Sequence, residues 1–366
     1  MHTSYHMLSY IHESPSTLEK TLQINQETIK EIASRARDMK VNKVVLSGLG
    51  SSYTAAVMAA PIFQQYCQYP TVVINSEETN YYAERWIDGQ TLVVVVSRSG
   101  ERGAVIDTLN LANQKGALAV AVTGVADSLL AQSSKLSLIT QEGPEITFPK
   151  TKSVTACAGI MMHLGLELAA AENKKAQSCL ENLLALPALI DQSTKAIEPQ
   201  LQALMPLVKN CKLLNVAGTC SNYGVALEAA IKVQEASFIP TRGDSTAGLL
   251  QGPVGALNPD WLVLALVMPE DLPLSRELLK LVKQFNAQCI AVHPQNIELS
   301  EVCQYCIKIP ESADPFLAAL VYLPAVQLLA YYWTVERGMN PDEPSSMQSI
   351  LKSILPPGRQ EPELRK

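Results

Sequence analysis

The sequence predicts an α/β protein built from two tandem, doubly wound parallel-sheet domains. Short apolar runs such as Leu92–Val96 are rich in β-branched residues, which is typical of strands buried on both faces of a parallel sheet. Helical patterns, for example at 103–115 and 274–285, separate these runs. Alternating β and α segments favour right-handed crossovers. The same series also occurs twice, so the chain is a pseudo-duplication.

The repeat is visible in matching strand-like segments that lie about 170 residues apart. The segments that begin at Lys43, Thr91 and Ala117 match those that begin at Lys212, Trp261 and Ala287.

The repeat also sets the predicted domain boundaries. We predict an N-terminal segment at 1–25, a first domain at 26–180, a linker helix region at 181–206, a second domain at 207–345 and a C-terminal tail at 346–366. Two similar α/β domains that face each other would form a cleft, which is a common place for a small-molecule site.

Composition narrows the classes of function. The 366 residues are 47% hydrophobic and 17% charged, as in soluble globular proteins. The net charge of -6, without any dense Lys/Arg stretch, argues against a nucleic-acid surface. We therefore expect small molecules, or further copies of the chain, as partners.

One apolar segment, Phe316–Val335, is about long enough to span a bilayer. Pro324 and Gln327 interrupt it, and no basic cluster marks a cytoplasmic side. A helix that is apolar all round is equally explained by burial inside a protein, so we predict burial and no membrane contact.

The eight cysteines lie in apolar contexts, and the first residues lack the pattern of a signal peptide. We therefore expect reduced thiols and a cytoplasmic protein. Cys303-x-x-Cys306 has no second Cys/His pair nearby and lies in a strand-like segment, which favours core cysteines. The five histidines show no metal-ligand spacing. We expect no metal.

The turn Ser97-Arg-Ser-Gly-Glu101 follows the strand-like run Leu92–Val96. In open parallel sheets, ligands bind at the carboxyl ends of strands, where the next helix offers N–H groups and the positive end of its dipole. Two serines and a glycine there predict a phosphate or other anion site, although a plain polar turn remains the alternative. Gly48-Leu-Gly-Ser-Ser52 follows the first strand of the first repeat and offers similar groups.

The second repeat has different turns at the corresponding places. They read Gly218-Thr-Cys-Ser221 and Met268-Pro-Glu-Asp271, and the latter is acidic. We therefore expect the anion in the first domain.

A nucleotide cofactor is not expected. Gly48-x-Gly50 lacks the third glycine of the dinucleotide fingerprint, because Tyr53 stands at that position. The sequence contains no P-loop. A nucleotide-dependent dehydrogenase is a weaker alternative.

Glu235 is the candidate acid and base. It lies on the helical segment 226–238, seven residues after Glu228 and hence on the same face. A carboxylate beside apolar neighbours can exchange protons near neutral pH, which suits moving a proton between adjacent carbons. The alternative is a solvated glutamate on an amphipathic helix. The glycine- and hydroxyl-rich segment 241–248 that follows is predicted to be a binding loop.

Over nearly its whole length the chain resembles the sugar-isomerase (SIS) family, in particular the isomerase half of glucosamine-6-phosphate synthase and its deglycase and deaminase relatives. The segments that carry the resemblance are Ile11-His-Glu-Ser-Pro, Gly50-Ser-Ser-Tyr, Ser97-Arg-Ser-Gly-Glu, Gly143-Pro-Glu-Ile, Thr151-Lys-Ser, 226–235, Gly252-Pro and Arg337-Gly. The resemblance implies two tandem SIS domains, which are flavodoxin-like or Rossmann-like sandwiches, and a homodimer or higher homo-oligomer.

The resemblance also implies roles for individual residues. The proton-shuttling glutamate of the family matches Glu235. The family places the phosphate of a hexose 6-phosphate in a pocket, and the positions of this chain that we assign to it are Gly50, Ser51, Ser52, Ser97, Arg98, Ser99, Arg102, Lys150 and Thr151.

Three departures from the family pattern bear on the activity. Gln251 occupies the place of the ring-opening histidine, and a glutamine can hydrogen-bond a hydroxyl but cannot exchange protons near pH 7. Ser349 aligns with the Schiff-base lysine of the synthase, and Lys352 lies one helical turn further on. Residue 2 is His2, where a glutaminase domain begins with its catalytic cysteine.

We therefore expect a deglycase or a deaminating isomerase that acts on a ketoamine or amino-sugar 6-phosphate without a cofactor, rather than a glutamine-dependent synthase. Gln251 would take part at the catalytic position as a hydrogen-bonding group. The alternative is a non-catalytic sugar-phosphate sensor.

Overall fold

A computed structural model describes residues 5–343, which divide into two compact units. The first unit contains residues 13–146 and 152–187, and the second contains 5–12, 147–151 and 188–343. Each unit holds one five-stranded sheet. The helices are α1 (His6–Ile24), α2 (Gln26–Asp38), α3 (Ser51–Ile62), α4 (Thr79–Tyr82), α5 (Gly103–Gln114), α6 (Leu129–Gln132), α7 (Lys152–Ala170), α8 (Lys174–Val208), α9 (Ser221–Ser237), α10 (Thr246–Leu250), α11 (Leu272–Gln284) and α12 (Ala318–Glu336).

The sheet of the first unit is wholly parallel and has the order β2-β1-β3-β4-β5. Its strands are β1 (Lys43–Gly48), β2 (Thr71–Asn75), β3 (Thr91–Val96), β4 (Leu118–Thr123) and β5 (Ser137–Ile139).

The central strand β3 is buried along its whole length, as its unbroken apolar run predicts. One face of the sheet packs on Val105, Leu109 and Ala112 of α5. Their spacing of three and four residues places them on one side of that helix.

The edge of the first sheet is closed by a side chain. The Asn25 amide donates to the carbonyl oxygen of Ile139 at 2.9 Å and accepts from its N–H at 2.9 Å. Asn25 thereby satisfies both backbone groups of this residue on the edge strand β5, which would otherwise be open to pairing with another chain.

The second unit repeats the design with the parallel order β10-β9-β8-β6-β7. Its strands are β6 (Leu213–Gly218), β7 (Thr241–Ser245), β8 (Trp261–Leu266), β9 (Gln288–Pro294) and β10 (Tyr305–Ile309). Read from the opposite edge, the order is the same as in the first unit. The predicted duplication and fold class are therefore confirmed.

The segment predicted as a binding loop, 241–248, is regular structure instead. Its first five residues form the edge strand β7, whose Thr241 pairs with Leu214 of β6. Gly243 explains why the segment can lie so close to α9, since a Cβ atom there would be 2.2 Å from the carbonyl oxygen of Ala226. Parallel pairing with β6 thus overrides the turn-like composition.

The two long apolar helices are largely buried. The most apolar 18-residue stretches of α7 and α12 are 83% and 89% buried inside the protein. Burial of the segment around α12 agrees with the sequence-based expectation. The predicted linker region 181–206 lies within α8, one continuous helix of 35 residues.

Candidate functional site

In the first sheet, the direction in which the chain adds strands reverses between the neighbouring strands β1 and β3. This strand pair is the topological switch point of the sheet. The chain runs outward from β1 to β2 on one side and resumes at β3 on the other. In open α/β sheets, ligands bind in the crevice at the carboxyl ends of such a strand pair. The turns that follow β1 and β3 carry the predicted anion-binding residues.

The turn after β1 is built around two glycines. A Cβ atom at Gly48 would lie 2.8 Å from the carbonyl carbon of Ser52, so glycine permits the turn to fold onto the start of α3. Gly50 has φ 54° and ψ -126°, and a Cβ atom there would meet nothing within 4 Å. Ser51 and Ser52 are half-buried in the first turn of α3, where the dipole of this 12-residue helix favours an anion.

The turn after β3 is closed by Ser97. Its hydroxyl oxygen accepts a hydrogen bond from the N–H of Gly100 at 3.2 Å. The hydroxyl hydrogen can then still be donated in a hydrogen bond to an anion. Gly100 is required there, because its φ is 67° and a Cβ atom would lie 2.3 Å from the Ser128 hydroxyl.

Two cationic side chains stand in the same turn. Arg98 and Ser99 are half-buried, and Arg102 is exposed as the residue that precedes α5. The carbonyl oxygen of Arg98 accepts from the Thr123 hydroxyl at 3.1 Å and from the Gly124 N–H at 3.0 Å, which fixes its backbone. The start of α5 adds a second helix N-terminus.

A buried carboxyl group lies close to this turn. Glu142 is 4% exposed, and a Cβ atom at Gly124 would lie 1.9 Å from its Oε1 atom. Burial raises the pKa of Glu142, and the positive charge of Arg98 opposes that shift only in part.

Lys150 and Thr151, which we also assigned to the phosphate pocket, group with the second unit. The Lys150 ammonium donates to the carbonyl oxygen of Thr147 at 2.7 Å. Thr151 is fully buried, and its carbonyl oxygen accepts from the Gln327 amide at 3.2 Å. Their role in phosphate binding stays a prediction.

The start of α7 is organised by a carboxylate from the same stretch of chain. Glu145 is buried and accepts from the backbone N–H of Lys152 at 3.0 Å and from the Ser153 hydroxyl at 2.6 Å. The Lys152 ammonium lies 2.7 Å from Glu13. These contacts give a structural reason for two segments of the family resemblance.

The second unit holds the candidate acid–base group. Glu228, Lys232 and Glu235 occupy one face of α9 at spacings of four and three residues. The Lys232 ammonium is 1% exposed, lies 3.6 Å from Glu228 Oε1 and contacts Glu235 Oε2. Glu228 is fully buried, whereas the Glu235 side chain is 24% exposed.

This environment differs from the one expected from the sequence. We expected Glu235 beside apolar neighbours, but the structure places an ammonium group against its carboxylate. Lys232 is the residue that the sequence reasoning missed. The signal was present, since a lysine between two glutamates at helical spacing predicts contact with both. The charge-assisted contact orients Glu235, whose side chain remains partly exposed.

Gln251, the other predicted catalytic residue, follows α10 and is exposed. Its backbone N–H bonds to the carbonyl oxygen of Gly248 at 3.2 Å. Ser349 and Lys352 lie outside the described residues.

The equivalent turns of the second sheet carry a buried amide and a buried carboxyl group. The Asn222 side chain is fully buried at the start of α9, and neither of its polar atoms has a hydrogen-bond partner within residues 5–343. Asp271 lies in the short 3-10 turn Pro269–Asp271 that follows β8, and burial raises its pKa. An anion is disfavoured beside a carboxyl group, so the first unit is the better suited to phosphate.

No group of three or more His, Cys, Asp or Glu side chains within 5–343 is arranged to hold a metal ion.

Two parallel sheets of identical strand order, with a serine-rich turn at the switch point of one, define a tandem α/β protein of the doubly wound class. The sequence profile of the SIS domain family matches residues 39–164 and 207–337. The chain therefore belongs to the SIS domain family and contains the domain twice, which confirms the resemblance drawn from its motifs.

Similar sequences include isomerizing glutamine–fructose-6-phosphate aminotransferases. The chain is 30% identical over 354 residues to the isomerizing glutamine–fructose-6-phosphate aminotransferase of Thermococcus kodakarensis, and 27% identical over 350 residues to that of Pyrococcus horikoshii. Each alignment covers 95% of this chain and 57% of the relative. The chain thus spans little more than half the length of these relatives.

Solved structures show the same fold at lower identity. The C-terminal domain of glucosamine-fructose-6-phosphate aminotransferase from Francisella tularensis has a TM-score of 0.81 at 21% identity, with 94% of this chain and 99% of that chain covered. Glucosamine-6-phosphate deaminase from Thermotoga maritima has a TM-score of 0.74 at 22% identity, with 93% and 97% covered. Tagatose-6-phosphate ketose/aldose isomerase from Escherichia coli has 0.76 at 20%, with 93% and 95% covered.

Proposed function

We propose that this protein binds a phosphorylated hexose that carries an amine and releases the amine, as a deglycase or a deaminating isomerase. The proposed substrate is a ketoamine or amino-sugar 6-phosphate. The observation that carries the proposal is that the chain holds both a donor-rich, cationic turn around Ser97 in its first unit and a partly exposed, oriented carboxylate at Glu235 in its second unit. We name the turn residues Ser51, Ser52 and 97–102 the phosphate loop.

The phosphate loop supplies what a dianion requires. It combines hydroxyl donors, the N-termini of α3 and α5, and the charges of Arg98 and Arg102. Hydrogen bonds to a charged phosphate are roughly twice as strong as neutral ones. A 6-phosphate would therefore anchor the sugar here, while the unphosphorylated sugar would bind poorly.

Glu235 supplies proton transfer between neighbouring carbons. From an open-chain ketoamine, its carboxylate takes a proton from C1, and protonation at C2 then leaves an imine at C1. Water adds to this imine, the C–N bond breaks, and the amine leaves with a proton while an aldose phosphate remains. For a 2-amino aldose phosphate the same steps run from C2 to C1 and release ammonia.

The amine already present in the substrate takes the place of the Schiff-base lysine of the synthases. The family resemblance implies that Ser349 stands where the synthases have a Schiff-base lysine. A substrate that brings its own nitrogen forms the imine without an enzyme lysine. The exposed Gln251 can hydrogen-bond a sugar hydroxyl but cannot open a ring by proton exchange, so substrates that open readily are favoured.

The names of the relatives support the substrate class. The aminotransferases that match this chain and the deaminase of the same fold are all named for a hexose 6-phosphate or its amino derivative. We further propose that the protein acts in the cytoplasm as a homodimer or higher homo-oligomer.

The deciding experiment is a small substrate panel. Purified protein is incubated with several fructosamine 6-phosphates, with glucosamine 6-phosphate and with the unphosphorylated forms, and both hexose phosphate and free amine are measured. We expect amine release only from phosphorylated members, with solvent deuterium incorporated at C1 or C2 when the reaction runs in D₂O. The variant Glu235→Gln serves as the matched inactive control.

Gln251 favours one alternative, a sugar-phosphate sensor without turnover. The same panel separates the two functions. If glucose 6-phosphate binds but no member releases amine or exchanges a proton with D₂O, the enzyme proposal is wrong and the sensor remains.

A further inference from the structure

Three thiols and one imidazole cluster at the outer part of the second sheet. Cys289 lies on β9, Cys306 lies on β10, and Cys303 lies in the turn that precedes β10. All three are reduced. The Sγ atoms of Cys289 and Cys303 are 3.2 Å apart, which places them in direct contact.

Strand pairing brings the third sulfur and the imidazole to the same side. Cys306 pairs with Ala291 on the neighbouring strand β9. Cys289 and His293 lie two residues to either side of Ala291, so they share its face of the sheet. The Sγ atom of Cys306 also lies 3.9 Å from the carbonyl oxygen of Cys303.

The three thiols of the cluster differ in their exposure to solvent. Cys289 is 6% exposed and Cys303 is 3% exposed, and both belong to the core of the second unit. Cys306 is half-buried, so a small oxidant can reach it before it reaches the other two.

Electrostatics differ among the three thiols. The hydrogen bond from Cys303 lowers the pKa of Cys306, and His293 lowers it further, while burial and Glu298 oppose the shift. Hydrogen bonding with Cys289 and Cys306, together with burial, raises the pKa of Cys303. At neutral pH the most accessible thiol of the cluster is therefore also a good nucleophile.

We propose that these residues form an oxidation site for hydroperoxides, in which Cys306 reacts first and the product is a disulfide between Cys289 and Cys303. A disulfide has an S–S length of about 2.05 Å, so the two sulfurs need to approach by only about 1 Å. The site is independent of the proposed sugar-phosphate function.

The chemistry balances with hydrogen peroxide as the oxidant. The Cys306 thiolate attacks one peroxide oxygen, an S–O bond forms, the O–O bond breaks, and hydroxide leaves to become water. Cys303 then attacks the Cys306 sulfur, an S–S bond forms, and a second water leaves with the Cys303 proton. Cys289 attacks Cys303 in turn, which gives the Cys289–Cys303 disulfide and returns Cys306 as a thiol.

The chain provides a matched control in Cys67. It is half-buried like Cys306, but burial raises its pKa to about 12. With native protein at pH 7, iodoacetamide should alkylate Cys306 at least tenfold faster than Cys67. Equal rates would contradict the proposed role of Cys306.

Oxidation itself is measured by thiol counting and peptide mapping. Stoichiometric hydrogen peroxide should lower the titratable thiols of the denatured protein from eight to six, and dithiothreitol should restore them. Mapping without reduction should recover a peptide pair joined through Cys289 and Cys303. Eight remaining thiols, sulfinic acid at Cys306 without a disulfide, or a disulfide elsewhere would overturn the proposal.

Variants assign the steps. Cys303→Ser should abolish the disulfide, and Cys306→Ser should slow its formation at least tenfold, while Cys67→Ser should change neither. Should Cys303→Ser fold poorly by circular dichroism, Cys303→Ala provides the same test. The alkylation rates of the wild-type protein decide the first step in either case.

Discussion

Gly50 and Cys220 adopt the same backbone conformation at the same place in the two repeated units. Gly50 has φ 54° and ψ -126°, and Cys220 has φ 56° and ψ -127°. Both residues precede the helix that follows the first strand of their sheet. Glycine adopts this conformation without penalty, but a residue with a Cβ atom is strained there. The turn in the second unit therefore has a conformation that suits glycine, although a cysteine occupies it.

This strain predicts a stabilising substitution. Cys220→Gly should raise the free energy of unfolding by about 1 kcal/mol, the relief of strain less the entropy that glycine adds to the unfolded chain. Thermal and urea unfolding measure the change. Cys220→Ser keeps the Cβ atom and is the matched control, so an equal gain from serine would show that strain is not the cause.

The ion cluster on α9 predicts a large stability effect. Lys232→Met removes the ammonium that lies 3.6 Å from the fully buried Glu228, and loss of one partner of a buried pair costs about 3–5 kcal/mol. The double variant Lys232→Met/Glu228→Gln also removes the charge of Glu228 and should recover most of the loss in urea unfolding.

The control for this prediction is Lys195→Met. Lys195 and Asp191 have the same four-residue helical spacing but are exposed, so their ion pair contributes less than about 1 kcal/mol. If the Lys232 variant costs no more than this control, the buried cluster does not stabilise the unit.

The phosphate loop predicts a specific loss of affinity. Ser97→Ala and Ser99→Ala should each remove a hydrogen bond to a phosphate dianion, worth about 1.5–3 kcal/mol. Affinity for glucose 6-phosphate, measured by calorimetry, should then fall roughly ten- to a hundredfold for each variant.

Ser133→Ala provides the matched control, because the Ser133 hydroxyl donates to the Leu129 carbonyl at 2.8 Å and lies outside the phosphate loop. Wild-type affinity in both Ser97 and Ser99 variants would refute the assignment of the loop.

Glu142 predicts a pH-dependent stability. Its folded-state pKa is raised by burial, so the native state binds the proton more tightly than the unfolded chain does. This contribution is complete below the unfolded pKa of about 4.3 and declines as pH rises through the folded pKa. Glu142→Gln should therefore be more stable than the wild type at pH 7 and equal to it near pH 4, as melting temperatures would show.

The exposed Glu84 is the control, since its hydrogen bond with Lys115 lowers its pKa. Glu84→Gln should show the opposite trend or none. A wild-type advantage over Glu142→Gln at pH 7 would contradict the burial argument.

Much of the fold could be predicted because local sequence patterns specify its strands. The run Leu92–Val96 is buried on both faces in β3, and the repeated segments that begin at Lys43 and Lys212 form the equivalent strands β1 and β6. Periodicity could not find β7, whose Thr-Arg-Gly-Asp-Ser sequence is polar and turn-like. Its strand conformation comes from pairing with β6 and from the space that Gly243 leaves beside α9.

The site was predicted unevenly for a similar reason. The turn of Ser97 follows a strand end directly, so its position at the switch point could be inferred from sequence. The surroundings of Glu235 depend on which residues share its helix face. The contact with Lys232 follows from helical spacing. The nearly complete burial of Lys232 depends on the packing of α9 against α12, which cannot be read from a local sequence pattern.

The central claim is that Glu235 moves protons while the phosphate loop holds the substrate. Glu235→Gln keeps the size and the hydrogen bonding of the side chain but cannot exchange protons. We predict that it binds sugar phosphate as the wild type does and releases amine from the best substrate about 10²–10⁴-fold more slowly. Amine release by Glu235→Gln at the wild-type rate, with binding intact, would contradict the account.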